Sequence, residues 1–158
     1  MKKILLCFMI CMTLIGCQSK STTNEKQIYQ KYLEKLKTNQ QFETKTNDFR
    51  IKVVLNQLKN KQVRYDLIID EPAIVMKNIK VLTMIDGQKD NDFPSLGIID
   101  QNQYSLIPHQ YDEKKNIYKG IHLSGLTKNK KITLKIYIYY ENDQKVERYF
   151  KIDENAIR

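Results

Sequence analysis

Lys131 to Asn155 reads Lys-Ile-Thr-Leu-Lys-Ile-Tyr-Ile-Tyr-Tyr-Glu-Asn-Asp-Gln-Lys-Val-Glu-Arg-Tyr-Phe-Lys-Ile-Asp-Glu-Asn, and its alternation decides the fold. Successive side chains of a strand point to opposite faces. Ile132, Leu134, Ile136, Ile138 and Tyr140 therefore share one side, with Thr133, Lys135, Tyr137 and Tyr139 on the other. Glu141-Asn142-Asp143-Gln144 supplies a polar turn, and Val146, Arg148, Phe150 and Ile152 return with the same period. Two such runs joined by a short polar loop read as an antiparallel hairpin.

Upstream, the same period predicts a second hairpin. Phe49, Ile51, Val53 and Leu55 alternate with polar residues, as do Val63, Tyr65, Leu67 and Ile69, with Asn60-Lys61 near the turn. Ile79, Val81 and Thr83 belong to a strand starting near Met76, and shorter strands are expected at 96–99, 104–107 and 117–123. Seven or eight short strands with turn signals about every ten residues describe a mainly β chain, an antiparallel β-sandwich of immunoglobulin-like architecture. A small barrel is the rival closure. The Cys and Trp that mark antibody domains are absent from this region, so the comparison is one of architecture.

Before the strands the period changes. Ile28, Tyr29, Tyr32, Leu33 and Leu36 form one apolar stripe, predicting a short amphipathic helix over 25–37 with Asn24 as its N-cap. Such a stripe packs on the domain core, or lies on anionic lipid through Lys26, Lys31, Lys35 and Lys37. Glu25, Glu34 and the two tyrosines favour the core.

The chain opens with a different signal. Met1-Lys2-Lys3 is a positive start, and Ile4 to Ile15 is uncharged, the length of an export leader and too short for a comfortable membrane span. It ends Leu14-Ile15-Gly16-Cys17, with an aliphatic residue at −3, a small residue at −1 and then cysteine. These four positions resemble the lipobox of bacterial lipoproteins. The resemblance implies cleavage after Gly16, a diacylglyceryl thioether on the Sγ of Cys17, and a membrane-attached domain on the extracytoplasmic side. Residues 1–16 are then a signal peptide, 17–24 a lipidated tether of Ser, Thr, Lys and Asn, and 25–158 the helix and sandwich. Two acyl chains hold a protein on a bilayer, each buried methylene contributing about 0.8 kcal/mol. The layout of anchor, short helix and sandwich is similar to that of small lipoproteins of low-GC Gram-positive bacteria.

Cys7, Cys11 and Cys17 are the three cysteines, so the mature domain has none to pair and rests on its apolar core. Lys and Arg outnumber Asp and Glu by 27 to 18, a net charge of +9 that falls to +7 once Lys2 and Lys3 leave with the signal peptide. The positive charges are scattered rather than striped, and an exported domain meets lipid head groups and wall polymers first; no specific nucleic acid is expected.

Catalytic and metal-binding signals are weak. His109 and His122 stand far apart without neighbouring ligands, and Asp86, Asp90 and Asp92 miss the spacing of a calcium loop. No Gly-x-Ser-x-Gly or Ser-x-x-Lys is present, and no catalytic residue, metal or cofactor is assigned. Two features invite a partner. Phe93-Pro94-Ser95-Leu96-Gly97 is an apolar turn in which Phe93 makes a contact or, more in keeping with its size, packs inward. Tyr137 and Tyr139, with Tyr140, Tyr149, Tyr118 and Tyr111, form an aromatic set suited to protein contacts unless the helix covers it. The expectation is a non-enzymatic accessory, immunity or exclusion factor that binds a protein. A solute- or wall-polymer-binding lipoprotein and a surface hydrolase are the alternatives.

Overall fold

The computed structural model describes residues 20–90, 92–100 and 102–156. The first helix, α1 (Lys20–Thr38), buries Tyr29, Leu33 and Leu36 and half-buries Tyr32, the stripe its 3.6-residue period puts on one face. Ile28, at the edge of that stripe, stays exposed. Lys35 and Lys37 sit in the last turn, where cations favour the helix dipole. The helix starts four residues ahead of Asn24, so Asn24 lies inside it rather than capping it, and residues 20–24 of the expected tether are helical. Once a docked segment is nucleated, each further residue gains one hydrogen bond for the two torsions it fixes.

Two strands follow, β1 (Arg50–Gln57) and β2 (Val63–Asp70), antiparallel with Val53 opposite Leu67 and Leu55 opposite Tyr65. Lys61 takes a left-handed φ of 64° in their turn, and the Leu58 amide donates to the Gln62 carbonyl at 2.8 Å. The chain then crosses to a second sheet through β3 (Lys77–Ile85), which is flanked by the two-residue β4 (Ser95–Leu96). β4 is shorter than the 96–99 strand expected because Gly97 turns the chain at φ 70°, where a Cβ would sit 2.3 Å from the Ile79 carbonyl oxygen. Next, β5 (Ser105–Leu106) and β6 (Ile117–Tyr118) pair in parallel, whereas the other described strand pairs are antiparallel. Lys119 separates β6 from β7 (Gly120–Thr127), so the expected 117–123 strand is two strands, the second reaching Thr127. The final hairpin, β8 (Lys131–Glu141) and β9 (Lys145–Asn155), keeps the register its alternation demands, with Ile136 opposite Phe150.

The large sheets run β1-β2-β7 and β4-β3-β8-β9. They are separate sheets, not one closed barrel. Read as strands A, B, C, C′, E, F and G, β1, β2, β3, β4, β7, β8 and β9 give A-B-E and C′-C-F-G. That order is similar to the order in an immunoglobulin-like sandwich, and among the described residues no strand D pairs with β7. Val53, Tyr65, Leu67, Ile69 and Leu123 of the first sheet join one buried cluster with Val81, Leu134, Ile136 and Phe150 of the second. Tyr65 Oη lies 3.5 Å from Thr83 Oγ1, linking the two sheets through the core.

Candidate functional site

The residues expected to meet a partner fall in three different environments. Tyr137 is 0% exposed. Across the second sheet Leu82, Tyr137 and Tyr149 form one row, and α1 lies over it. The Tyr137 ring stands 5.4 Å from those of Tyr32 and Tyr149, and its hydroxyl donates to Glu147 Oε1 at 3.1 Å. Lys35 Nζ reaches the same carboxylate at 2.6 Å. Burial, reinforced by the neighbouring Glu147 charge, pushes the Tyr137 hydroxyl far above its ordinary pKa. The bonds from Lys35 and Tyr137 outweigh desolvation and hold Glu147 below the usual carboxylate range. Tyr137 thus packs the helix onto the sheet and offers no surface to a partner. The strand alternation placed it on the outward face correctly, but that face is covered.

Phe93 is likewise inside, 5% exposed. Tyr29 Oη donates to its carbonyl at 3.0 Å and accepts from its amide, so a single hydroxyl of α1 satisfies both backbone groups. Phe93 is a core residue and not a contact. Tyr139 is half-buried; Lys80 Nζ stands 5.4 Å from its ring centre, and burial together with the bond to Glu141 pushes its hydroxyl up to about 12. Of the wider aromatic set, Tyr111 is 53% exposed with Lys119 Nζ 5.1 Å from its ring. Cys17 and Gly16 lie outside the described residues.

With one sheet face under the helix, the face left bare among the described residues is that of β1, β2 and β7. Its outward residues form rows across the strands: Val54, Asp66 and Ser124; Lys52, Ile68 and His122; Asn56, Arg64 and Leu126. Asp66 is the centre. It is 4% exposed although it faces outward, because its neighbours converge on it. Its Oδ1 accepts from Ser124 Oγ at 2.6 Å and pairs with His122 Nε2 at 3.0 Å. Its Oδ2 accepts from Asn56 Nδ2 at 2.9 Å and Arg64 Nε at 3.0 Å. Burial alone raises a carboxyl pKa, but the bonds from Ser124, His122 and Arg64 and the Arg64 charge prevail and hold Asp66 below its ordinary value.

Asp, His and Ser side by side invite comparison with a nucleophilic relay, and the geometry argues against one. A relay needs the acid on one imidazole nitrogen and the nucleophile on the other. Here Nε2 of His122 faces both Asp66, at 3.0 Å, and Ser124, at 3.3 Å, while the Ser124 proton points to Asp66. The cluster fixes one anion and four side chains in place. Sequence reading missed it because Asp66 interrupts the apolar run Tyr65 to Ile69, while His122 and Ser124 sit two apart on another strand. The two-residue period of both runs was the available signal.

Elsewhere, Asp86 of the acidic loop is taken by Lys135 at 2.9 Å and Lys151 at 3.1 Å, and the Lys135 bond leads in holding it below its ordinary pKa. Among the described residues no three His, Cys, Asp or Glu converge as a metal site, and no helix is long and apolar enough to cross a membrane. Two open grooves lie near the 88–99 loop. One of about 700 Å³ is bounded by Glu25, Tyr29, Asp92 and Ile99, and one of about 460 Å³ by Tyr65, Phe93, Gly125 and Leu126. Neither a family model, nor a curated protein, nor a solved structure matches the chain.

Proposed function

We propose that the chain is a membrane-anchored extracytoplasmic lipoprotein that binds a protein partner at the cell surface in an accessory, immunity or exclusion role. Leu14-Ile15-Gly16-Cys17, behind Lys2, Lys3 and an uncharged run, supports the anchor. The partner reading rests on one observation: α1 covers the outer face of β8, leaving Tyr137 0% exposed, while among the described residues the outer face of β1-β2-β7 is bare. That face sets half-buried Val54 and Ile68 and exposed Leu126 among Lys52, Arg64, His122 and Ser124. Apolar positions among fixed polar groups suit a protein interface. Confinement to a thin layer by two acyl chains raises the effective concentration of such a face, so that modest affinity suffices. The reading is one of binding and not of catalysis, since His122 serves Asp66 and Ser124 through one nitrogen.

In-cell cross-linking followed by mass spectrometry tests the reading, with wild type compared to Lys52→Glu on the bare face. Protein adducts that Lys52→Glu depletes are expected. Adducts to glycan or lipid alone, or protein adducts indifferent to Lys52, refute it.

A further inference from the structure

Among the described residues β7 is an edge strand of its sheet. Open sheet edges present unpaired N–H and C=O groups, and proteins guard them with charge, brevity or a covering segment. The other edges are guarded. Glu43 covers β9, its amide donating to the Tyr149 carbonyl at 2.8 Å and its carbonyl accepting from Lys151 at 3.0 Å. β1 carries Arg50 and Lys52, and β4 is only two residues long. Among the described residues β7 pairs with β2 alone, leaving open the position where an immunoglobulin-like sheet carries strand D. Its sequence, Gly-Ile-His-Leu-Ser-Gly-Leu-Thr, has no Lys, Arg, Asp or Glu, in a chain of which 28% is charged.

The space beside this edge is specific. Gly125 lets the buried Tyr65 ring pack directly against the strand, since a Cβ there would lie 2.3 Å from Tyr65 Cζ. Above the buried Tyr65 and Phe93, half-buried Pro94 and Gly125 and exposed Leu126 border the groove of about 460 Å³, and Asp90 and Asp92 stand on its rim. Leu126 and Pro94 beside an acidic rim complement an apolar side chain next to a cation. The chain itself is strongly basic, which disfavours a second copy as occupant.

We infer that β7 accepts an extended strand donated by the partner protein, with an apolar side chain entering the groove beside Gly125 and an adjacent Lys or Arg meeting Asp90 and Asp92. Backbone bonds supply affinity and the groove supplies selectivity, as in other strand additions. The inference rests on the protein-partner reading and names the chemistry of that partner.

The test uses the mature, membrane-extracted protein and a fluorescent peptide of alternating Thr and Val with two Lys, read by anisotropy and by amide hydrogen exchange. Two N-methylated forms block opposite edges of the peptide. One form is expected to weaken binding about tenfold and the other to leave it within about twofold. Exchanging Lys for Glu in the peptide, or Asp92→Asn in the protein, is expected to weaken binding about fivefold, with protection confined to residues 120–127. Equal effects of the two N-methylated forms, or no protection of 120–127 at about 1 mM peptide, overturn the inference. So does a dimer by sedimentation that protects 120–127 without peptide, which makes a second copy the occupant. Failure here with cross-linking to the bare face intact removes the strand-acceptor inference alone; a failed cross-linking experiment removes the reading beneath it.

Discussion

Replacing Tyr137 by alanine distinguishes a helix packed on the sheet from an aromatic surface left for a partner. The side chain is 0% exposed and sits between Tyr32 and Tyr149, each ring centre 5.4 Å away. Truncating an enclosed aromatic ring to alanine costs about 3–5 kcal/mol. The hydroxyl accounts for only about 1 kcal/mol of that cost, because Glu147 keeps Lys35 at 2.6 Å and Tyr149 at 3.2 Å after Tyr137 is gone. A total near 4 kcal/mol, divided by a urea slope of about 2 kcal/mol per molar, shifts the unfolding midpoint down by about 2 M. Tyr137→Phe keeps the ring and loses one hydrogen bond, about 1 kcal/mol and about 0.5 M. The assay is urea denaturation followed by circular dichroism. An alanine variant that unfolds within about 0.5 M of wild type refutes the packing of α1 on β8.

Two further outcomes follow from the bare sheet. Gly125→Ala forces a methyl to 2.3 Å from the Tyr65 ring, whose hydroxyl lies 3.5 Å from Thr83 in the core. Overpacking of about 1–3 kcal/mol is expected, read as a fall in melting temperature of several degrees. Asp66→Asn removes a carboxylate whose folded pKa is depressed, so its stabilisation is present above the unfolded value of about 3.9 and is lost as pH falls through the folded value. Wild type is therefore more stable than Asp66→Asn at pH 7, and urea midpoints of the two converge below about pH 4. A gap that stays constant into acid shows that Asp66 does not act through its charge.

The strands were legible where one face is buried and the other polar. β1, β2, β8 and β9 show the two-residue period because each has a core side, and a shift of one residue would turn every apolar side chain outward. β3 is different: from Val81 to Ile85 it is buried on both faces, under α1 on one side and against the first sheet on the other, so alternation carries little information there. The helix stripe was legible for the same physical reason as the hairpins, but its start was not, since Lys20 to Asn24 has no apolar residue to reveal a docked face. The outward side of β8 was read correctly from periodicity, yet covered and bare outward faces look alike in sequence; Tyr137 is covered and His122 is not. The Asp66 cluster depends on the pairing of β2 with β7, a contact between residues 56 to 58 positions apart that local pattern cannot announce.

The tether on which the partner reading depends is tested most directly at one sulfur atom. Mass spectrometry of the N-terminal peptide of the native, membrane-extracted protein is expected to find Cys17 as the first residue, carrying a diacylglyceryl group. A peptide that still contains Gly16, or an unmodified Cys17, contradicts the anchor and removes the surface confinement from the account.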